Sequence, residues 1–546
     1  MRLSEEERET LSKLGTALVG KSSISGICAY GSKVAGYARG DSDYDLILVC
    51  KRFREGVRYK YVDSPVPVSA LIVDEELLWE DARTSYMGEF VAGRFLNAYE
   101  PISNEQLFRA VELEYKKRVL MEALLELSSD YGDFSRHLLV PYDYFLFYKL
   151  SRRAALYPPA TYSYVQTYTC PLGSENRAQS MAGFAGAAAS LSGRAFLKVG
   201  PDGVRVVPEK LRGDAFTKAQ SIFTGTTRGV TQYAIHGYAG RVGLGVFRRE
   251  AQSKLKRMRE NPPPLLELER PRSLLRLEEG KVIPDASLLE KQLAGLLGFD
   301  RYSTKERFIG EPYSTTRVLT FRDSGREASV VVKTYTDVRS LKWALLGIWA
   351  SATQRFSMAP MARLDREYGM SLRLKAAGLS VPSVLAVAPE ERVLVKEFVS
   401  GPTLASVIDS VFKGKEDGLA HVSAYGALLA SAHEKGLAIG DAKASNVVVS
   451  EKGLYLTDLE QAQPSGDKAW DLAEFLYYTS KLSVKEDAMR KVAESFLQAY
   501  VKGGDRPSVA KAMSSKYYRP FQPFLTPGMA KMLRETMGAY AYALVE

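Results

Sequence analysis

The sequence predicts an α+β chain divided among several domains, on three observations. Its 546 residues correspond to three or four domains at roughly 150 residues each. Strand-like runs and long stretches of helical periodicity fall in separate blocks, the pattern of α+β proteins. The stretch "NPPPLLELERP", residues 261 to 271, sets three prolines in a row where no helix can continue. The expected boundaries are 1–100, a helical region 101–190, a basic segment 191–260, a linker 261–284, and two lobes at 285–400 and 401–546.

The elements follow in order. Ser4 and Glu7 form a capping box, and the helix they open runs to about Gly20. "ISGICAY", "YDLILVC" and "VPVSALIVD" read as strands. Helical periodicity dominates from about 103 to 156, and from 157 to 250 periodicity is weak. Beyond the prolines, "RVLTF", "SVVVKTY", "SVLAVA" and "RVLVKEF" read as strands, followed by a mostly helical C-terminal region.

Composition narrows the function classes. Three cysteines, Cys28, Cys50 and Cys170, give no disulfide framework and no metal-ligand spacing. The opening "MRLSEEERET" is too charged for a signal peptide, and the most apolar stretch, "LKWALLGIWASA", is too short to span a bilayer. The expectation is a cytoplasmic protein with no membrane partner. The net charge of +10 favours polyanions. Between Arg194 and Arg259 there are 14 Lys and Arg against four acids, an excess of +10 within that segment alone. Phe196, Phe216, Phe223, Tyr233, Tyr238 and Phe247 interleave the basic residues. Cations with aromatics suit phosphate contact and base stacking. Arg248, Arg249, Lys254 and Arg257 are the candidate RNA contacts; a solvated surface is the alternative.

Two stretches carry phosphate chemistry. In "YGSKVAGYARGDSDYDL", Gly31 and Ser32 end a strand and open a short helix, where backbone amides can approach a phosphate. Asp43 and Asp45 lie two apart on the next strand, so both carboxylates share a face and can share a metal. In "IGDAKASNVVVSEKGLYLTDLEQA", Asp441 is placed to accept a hydroxyl proton, and Lys443 to neutralise the transferred phosphate. Asn446 and Asp458 are placed to hold Mg²⁺. Upstream, Lys333 sits on a strand within reach of phosphates, and Glu367 on a helix offers it an ion pair. "VKEFVSG" reads as a hinge, with Glu397 and Phe398 offering backbone groups to an adenine.

The first stretch closely resembles the polymerase-β nucleotidyltransferase superfamily over about residues 20–80. That resemblance implies an α/β domain binding a nucleoside triphosphate with Mg²⁺. The superfamily's third carboxylate falls on Ser69 here, with Asp63 and Asp74 as the neighbouring acids. The second stretch resembles the protein-kinase-like fold, and within it the RIO and KEOPS-associated kinases, over roughly residues 300–480. That resemblance implies a bilobal ATP- and Mg-dependent kinase, similar in type to archaeal RNA kinases. This sequence departs from the pattern at Ile439, where a His is usual, and at Leu459 and Glu460 after Asp458. It also lacks a glycine-rich loop after Gly310, where the amides of Ser314 to Thr316 are the substitute. Asp471 in "AWDLAEF" is expected to tie back to the catalytic loop. Only 12 residues separate it from Asp458, little room for a peptide-gripping segment.

Together these features imply an atypical kinase acting on structured RNA such as tRNA, with an N-terminal nucleotidyltransferase-like domain. The alternatives are a protein Ser/Thr kinase with an active nucleotidyltransferase domain, and a non-catalytic RNA-binding scaffold. Oligomeric state is left open.

Overall fold

A computed structural model describes residues 2–20, 23–40, 42–156, 158, 160–211, 256, 268, 270–309, 315–336, 359–482, 485–503 and 505–542. The candidate RNA contacts Arg248, Arg249, Lys254 and Arg257 lie outside them. The chain is α+β and forms two compact units, Met1–Arg276 and Leu277–Glu546. Among the described residues no helix is long and apolar enough to cross a membrane.

In the first unit, helix α1 (Glu5–Val19) opens on the expected capping box. Ser4 Oγ accepts from the Glu7 amide at 3.2 Å, and Glu7 Oε2 accepts from the Ser4 amide at 2.7 Å. Strands β1 (Ser23–Tyr30), β2 (Tyr44–Lys51), β3 (Val57–Val62), β4 (Val68–Asp74) and β5 (Glu100–Ser103) form a sheet in the order β3-β4-β2-β1-β5. The β2–β4 pair is parallel and the rest antiparallel. Alternation divides the sheet as the period of two requires. Ile27, Ala29, Leu46, Leu48, Val68 and Ala70 pack with Leu11 of α1 in one core. The other set of positions includes Tyr30, Asp45 and Ser69.

Helix α2 (Gly31–Ala35) follows β1, and α3 (Glu75–Thr84) follows β4. The helical region is α4 (Glu105–Tyr131), α5 (Tyr142–Leu156), α6 (Ala160–Thr169) and α7 (Gly173–Ser190). The last two fall where the sequence shows weak periodicity. Their reason is packing of small residues. A Cβ on Gly183 of α7 would lie 2.3 Å from Glu112 Oε1 and 2.5 Å from Lys116 Nζ of α4. The close approach lets Lys116 Nζ donate to the Ser180 carbonyl at 2.9 Å. A helix of alanine and glycine needs no apolar stripe to dock this way.

The basic segment enters the described residues at its start and at Lys256. Strands β6 (Leu197–Gly200) and β7 (Gly203–Val206) form a hairpin there. Phe196 is buried, so its ring is unavailable for base stacking, against expectation. Arg205 donates to the His137 carbonyl at 2.9 Å.

In the second unit, strands β8 (Lys281–Val282), β9 (Ser303–Phe308), β10 (Thr316–Asp323), β11 (Arg326–Thr334), β12 (Val384–Ala388) and β13 (Val393–Glu397) form a sheet. Its order is β8-β12-β13-β11-β10-β9. β8 pairs in parallel with β12, so the stretch expected to be linker already contributes to this sheet. Leu319, Phe321, Val330, Val332 and Val395 form its core. The helix Pro360–Ala376 lies between β11 and β12 in the sequence. A larger core follows around Tyr425, Phe475, Phe496 and Trp470, on the helices Leu419–Glu434, Lys468–Thr479 and Glu486–Gly503.

Candidate functional site

The loop after strand β14 (Leu437–Ala438) is held by the helix Lys468–Thr479. The Ile439 and Gly440 amides donate to Asp471 Oδ2 and Oδ1, each at 2.7 Å. The Ala442 amide donates to Glu474 Oε2 at 2.8 Å. Trp470 Nε1 donates to the Gly440 carbonyl at 3.1 Å, and Tyr425 Oη to the Ala442 carbonyl at 3.1 Å. Asp471 was expected to tie to the loop. Glu474 was not, although it sits three residues on, on the same helix face. His433 was not expected either. Its Nε2 donates to Asp471 Oδ2 at 2.9 Å, and its Nδ1 lies 2.8 Å from Tyr500 Oη. An imidazole from the preceding helix thus bonds Asp471, while Ile439 stands in the loop itself.

Asp441 projects from this loop. Lys443 Nζ lies 2.6 Å from its Oδ1, and Asn446 Nδ2 donates to its Oδ2 and to its carbonyl, both at 3.0 Å. Burial pushes the Asp441 carboxyl up. The Lys443 charge, with hydrogen bonds from Lys443, Glu474 and Asn446, outweighs burial and leaves it below its usual range. Glu474 behaves oppositely: burial, then the charge of Asp441, pushes it well above the usual range. The two neighbouring carboxyl groups are thus shifted in opposite directions, Asp441 toward its charged form and Glu474 toward its neutral one.

Strand β15 (Val447–Ser450) pairs with β16 (Gly453–Leu456), and Asp458 follows. Thr457 donates its amide and its Oγ1 to the Asn446 carbonyl, both at 2.9 Å, so the loop and Asp458 are joined. Asp458 holds a left-handed backbone, φ 56°, which an Asp tolerates better than most residues. Lys333 Nζ, on β11, lies 2.5 Å from Asp458 Oδ1, 2.8 Å from Glu367 Oε2 and 3.0 Å from Glu460 Oε2. Tyr335 Oη donates to Glu367 Oε2 at 2.5 Å, and Lys396 Nζ pairs with Glu367 Oε1.

Burial pushes the Glu367 carboxyl up, but Lys333 and Lys396 outweigh it and hold it well below the usual range. Burial pulls the Lys333 amine down, but Asp458 and Glu367 outweigh it and hold it well above. Glu460 is pushed up, mainly by burial. Glu367, Asp458 and Glu460 are the one group of acids, among the described residues, whose oxygens lie within 4.8 Å of one another. Between Asp458 and Asp471 the chain makes a tight turn, the short strand β17 (Gln463–Pro464) and the Asp467 cap of the next helix.

One expectation fits less well. The Glu397 amide is taken by the Ser383 carbonyl at 2.8 Å, because β13 continues through that residue, so this amide is not offered to a base. Of the Ser314 to Thr316 segment, Ser314 lies outside the described residues, Thr315 bonds Thr334 through its hydroxyl and carbonyl, and Thr316 begins β10.

In the first unit, Tyr30, Asp45, Ser69 and Tyr61 form one row across the sheet. Asp43 lies one residue before β2 rather than within it, and Ser69 Oγ donates to Asp43 Oδ2. A Cβ on Gly31, at φ 79°, would lie 1.9 Å from Asp45 Oδ2, so only glycine allows this approach. Ser32 accepts from the amides of Gly36 and Tyr37, closing a helix only five residues long. Asp74 does not complete the pair. Asp74 caps α3 and accepts from the Phe53 amide at 2.8 Å. Its register partner is Cys50, five residues along β2 from Asp45, or roughly 16 Å. Asp63 is engaged by Tyr61. Burial, then the charge of Asp45, pushes the Tyr59 phenol up to about 12.

No protein-family model matches the chain, and no curated protein does. Among solved structures, one titled "WaaP in complex with acyl carrier protein" matches 43% of this chain and 93% of that one. Its identity is 12% and its TM-score 0.27.

Proposed function

We propose that residues 277–546 form a phosphotransferase that moves a phosphoryl group from Mg·ATP to a hydroxyl acceptor. The observation that carries this reading is the continuity of the site. Asp441, Lys443 and Asn446 are bonded to one another, and the Asn446 carbonyl is bonded to Thr457. Asp458 follows directly and meets Lys333 and Glu367.

The donor set suits a hard cation. Asn446 turns its amide nitrogen to Asp441, so its Oδ1 faces elsewhere, with a 3.5 Å contact from Ser445 Oγ. With the carboxylate of Asp458 it would hold Mg²⁺. Bound Mg·ATP supplies the transferable group and charge neutralisation. The chain's residues do the rest. Asp441, kept ionised by its three donors, accepts the hydroxyl proton. Lys443 places a positive charge beside it, and Lys333 orients phosphate oxygens.

For the acceptor we propose structured RNA such as tRNA, on the strength of the +10 segment between Arg194 and Arg259. The short connection between Asp458 and Asp471 supports an acceptor held by something other than a peptide-binding segment. We further propose that the Gly31–Asp45 site binds a nucleoside triphosphate without efficient turnover, because Ser69 stands where a third carboxylate would complete the metal clamp. Incubation with γ-labelled and with α-labelled ATP, plus total RNA and then total protein, tests both. The γ label is expected on RNA. The γ label on protein alone would sink the RNA reading, and label on neither would sink the kinase reading.

A further inference from the structure

We propose that Lys396 is a positioning residue that holds Glu367 when Lys333 turns to the nucleotide; this rests on the phosphotransferase reading above. Lys396 lies on β13 opposite Val331, and its side chain is 6% exposed. Its ammonium meets Glu367 Oε1, while Lys333 and Tyr335 meet Oε2. The carboxylate, itself fully buried, therefore has a different cation on each oxygen.

The second cation matters because of where the first one stands. Lys333 is shared among Glu367, Asp458 and Glu460, all within 3.0 Å. Three carboxylates meet Lys333, Lys396 and, at 3.5 Å from Glu460, Arg363. Without a nucleotide this set is balanced. For Lys333 to reach phosphate oxygens it must loosen its hold on these acids. A buried carboxylate left without a counter-charge is strongly unfavourable. Were Lys333 its one cation, Glu367 would hold that amine back. Lys396 removes the conflict, since Glu367 keeps a full ion pair and the Tyr335 hydrogen bond whichever way Lys333 turns. A purely structural lysine would act on folding alone and leave nucleotide affinity unmoved.

The test is binding of a non-hydrolysable ATP analogue with Mg²⁺ to the full chain, read by calorimetry, with melting temperature read in parallel. Lys396→Gln keeps one hydrogen bond to Glu367 but removes the charge. It is expected to weaken analogue binding about tenfold, and Lys396→Arg to restore it to within about twofold. A folded Lys396→Gln protein with wild-type affinity overturns the assignment. So does a Lys396→Arg protein that folds but binds no better than Lys396→Gln. If Lys396→Gln does not fold, the Arg variant decides: wild-type affinity supports the inference, and a folded but weakened variant overturns it. A wild-type chain that binds no Mg·analogue overturns the phosphotransferase reading itself, and Lys396 with it.

Discussion

Asp441 and its donors set the first expected outcomes. Asp441→Asn keeps the shape of the side chain but cannot take a proton. Phosphoryl transfer is expected to fall by about 10²–10⁴-fold with Mg·ATP affinity retained, measured by single-turnover transfer beside equilibrium binding. Asp458→Asn is expected to weaken Mg²⁺-dependent ATP binding itself, because that carboxylate is proposed, with Asn446, to hold the metal. Transfer at wild-type rate by Asp441→Asn would show the role assignment to be wrong. Glu367 gives a pH outcome. Its folded carboxyl titrates below the ordinary 4.5. Its stabilising contribution is therefore complete above that value and is lost progressively below it, as pH falls toward the folded carboxyl's own lower pKa. Denaturation midpoints between pH 6 and 3 should decline more steeply in wild type than in Glu367→Gln. What was legible here were residues whose type and order carry chemistry: Asp441, Lys443, Asn446, Asp458, Lys333 and Glu367. Glu474, His433, Tyr335 and Lys396 were not, because a carboxylic acid, an imidazole, a phenol and an amine on ordinary helices and strands become site residues only by tertiary packing.

Among the elements, strands with clear alternation or apolar runs could be read, such as Tyr44–Lys51 and Val68–Asp74. The strand Val57–Val62, "VRYKYV", was missed although Val57, Tyr59 and Tyr61 alternate with Arg58 and Lys60, because it is short and has no fully buried position. The helix Gly173–Ser190 escaped for the opposite reason: small residues dock without a stripe. The same limit applied to Glu397, where the strand runs one residue further than a hinge would have it. The Lys468–Thr479 helix is the element on which the loop depends, since Asp471 and Glu474 grip three of its amides. Asp471→Asn would set an amide nitrogen against a backbone N–H. The expected loss is about 1–3 kcal/mol of stability, checked by chemical denaturation, together with a fall in transfer rate. Gly31→Ala is expected to displace Asp45 and to weaken metal binding in the first unit, checked by Mn²⁺ titration.

At the scale of the whole molecule, the outcome to test is that of the uneven charge along the sequence. RNA binding is expected to fall steeply with salt. Six or more phosphate contacts imply about a thousand-fold loss between 50 and 200 mM. Changing Arg248, Arg249, Lys254 and Arg257 to Glu should weaken tRNA binding and flatten that slope while leaving ATP binding intact. Filter binding across a salt series checks both. A charge-reversed protein with wild-type tRNA affinity would make the segment a solvated surface and favour a protein acceptor.

The anchoring of residues 439–442 has one more consequence, for the clock on which this loop opens. Loops ordinarily trade their amide protons with solvent quickly, through small local fluctuations. Here the amides of Ile439, Gly440 and Ala442 are each closed by a carboxyl group on a buried helix, and Asp471 is itself latched to Tyr500 through His433. None of the three can exchange until that helix parts from the loop. Deuterium uptake at these positions should therefore keep pace with the core of the second unit, not with neighbouring turns. Tyr500→Phe, which removes the far end of the latch, should quicken it.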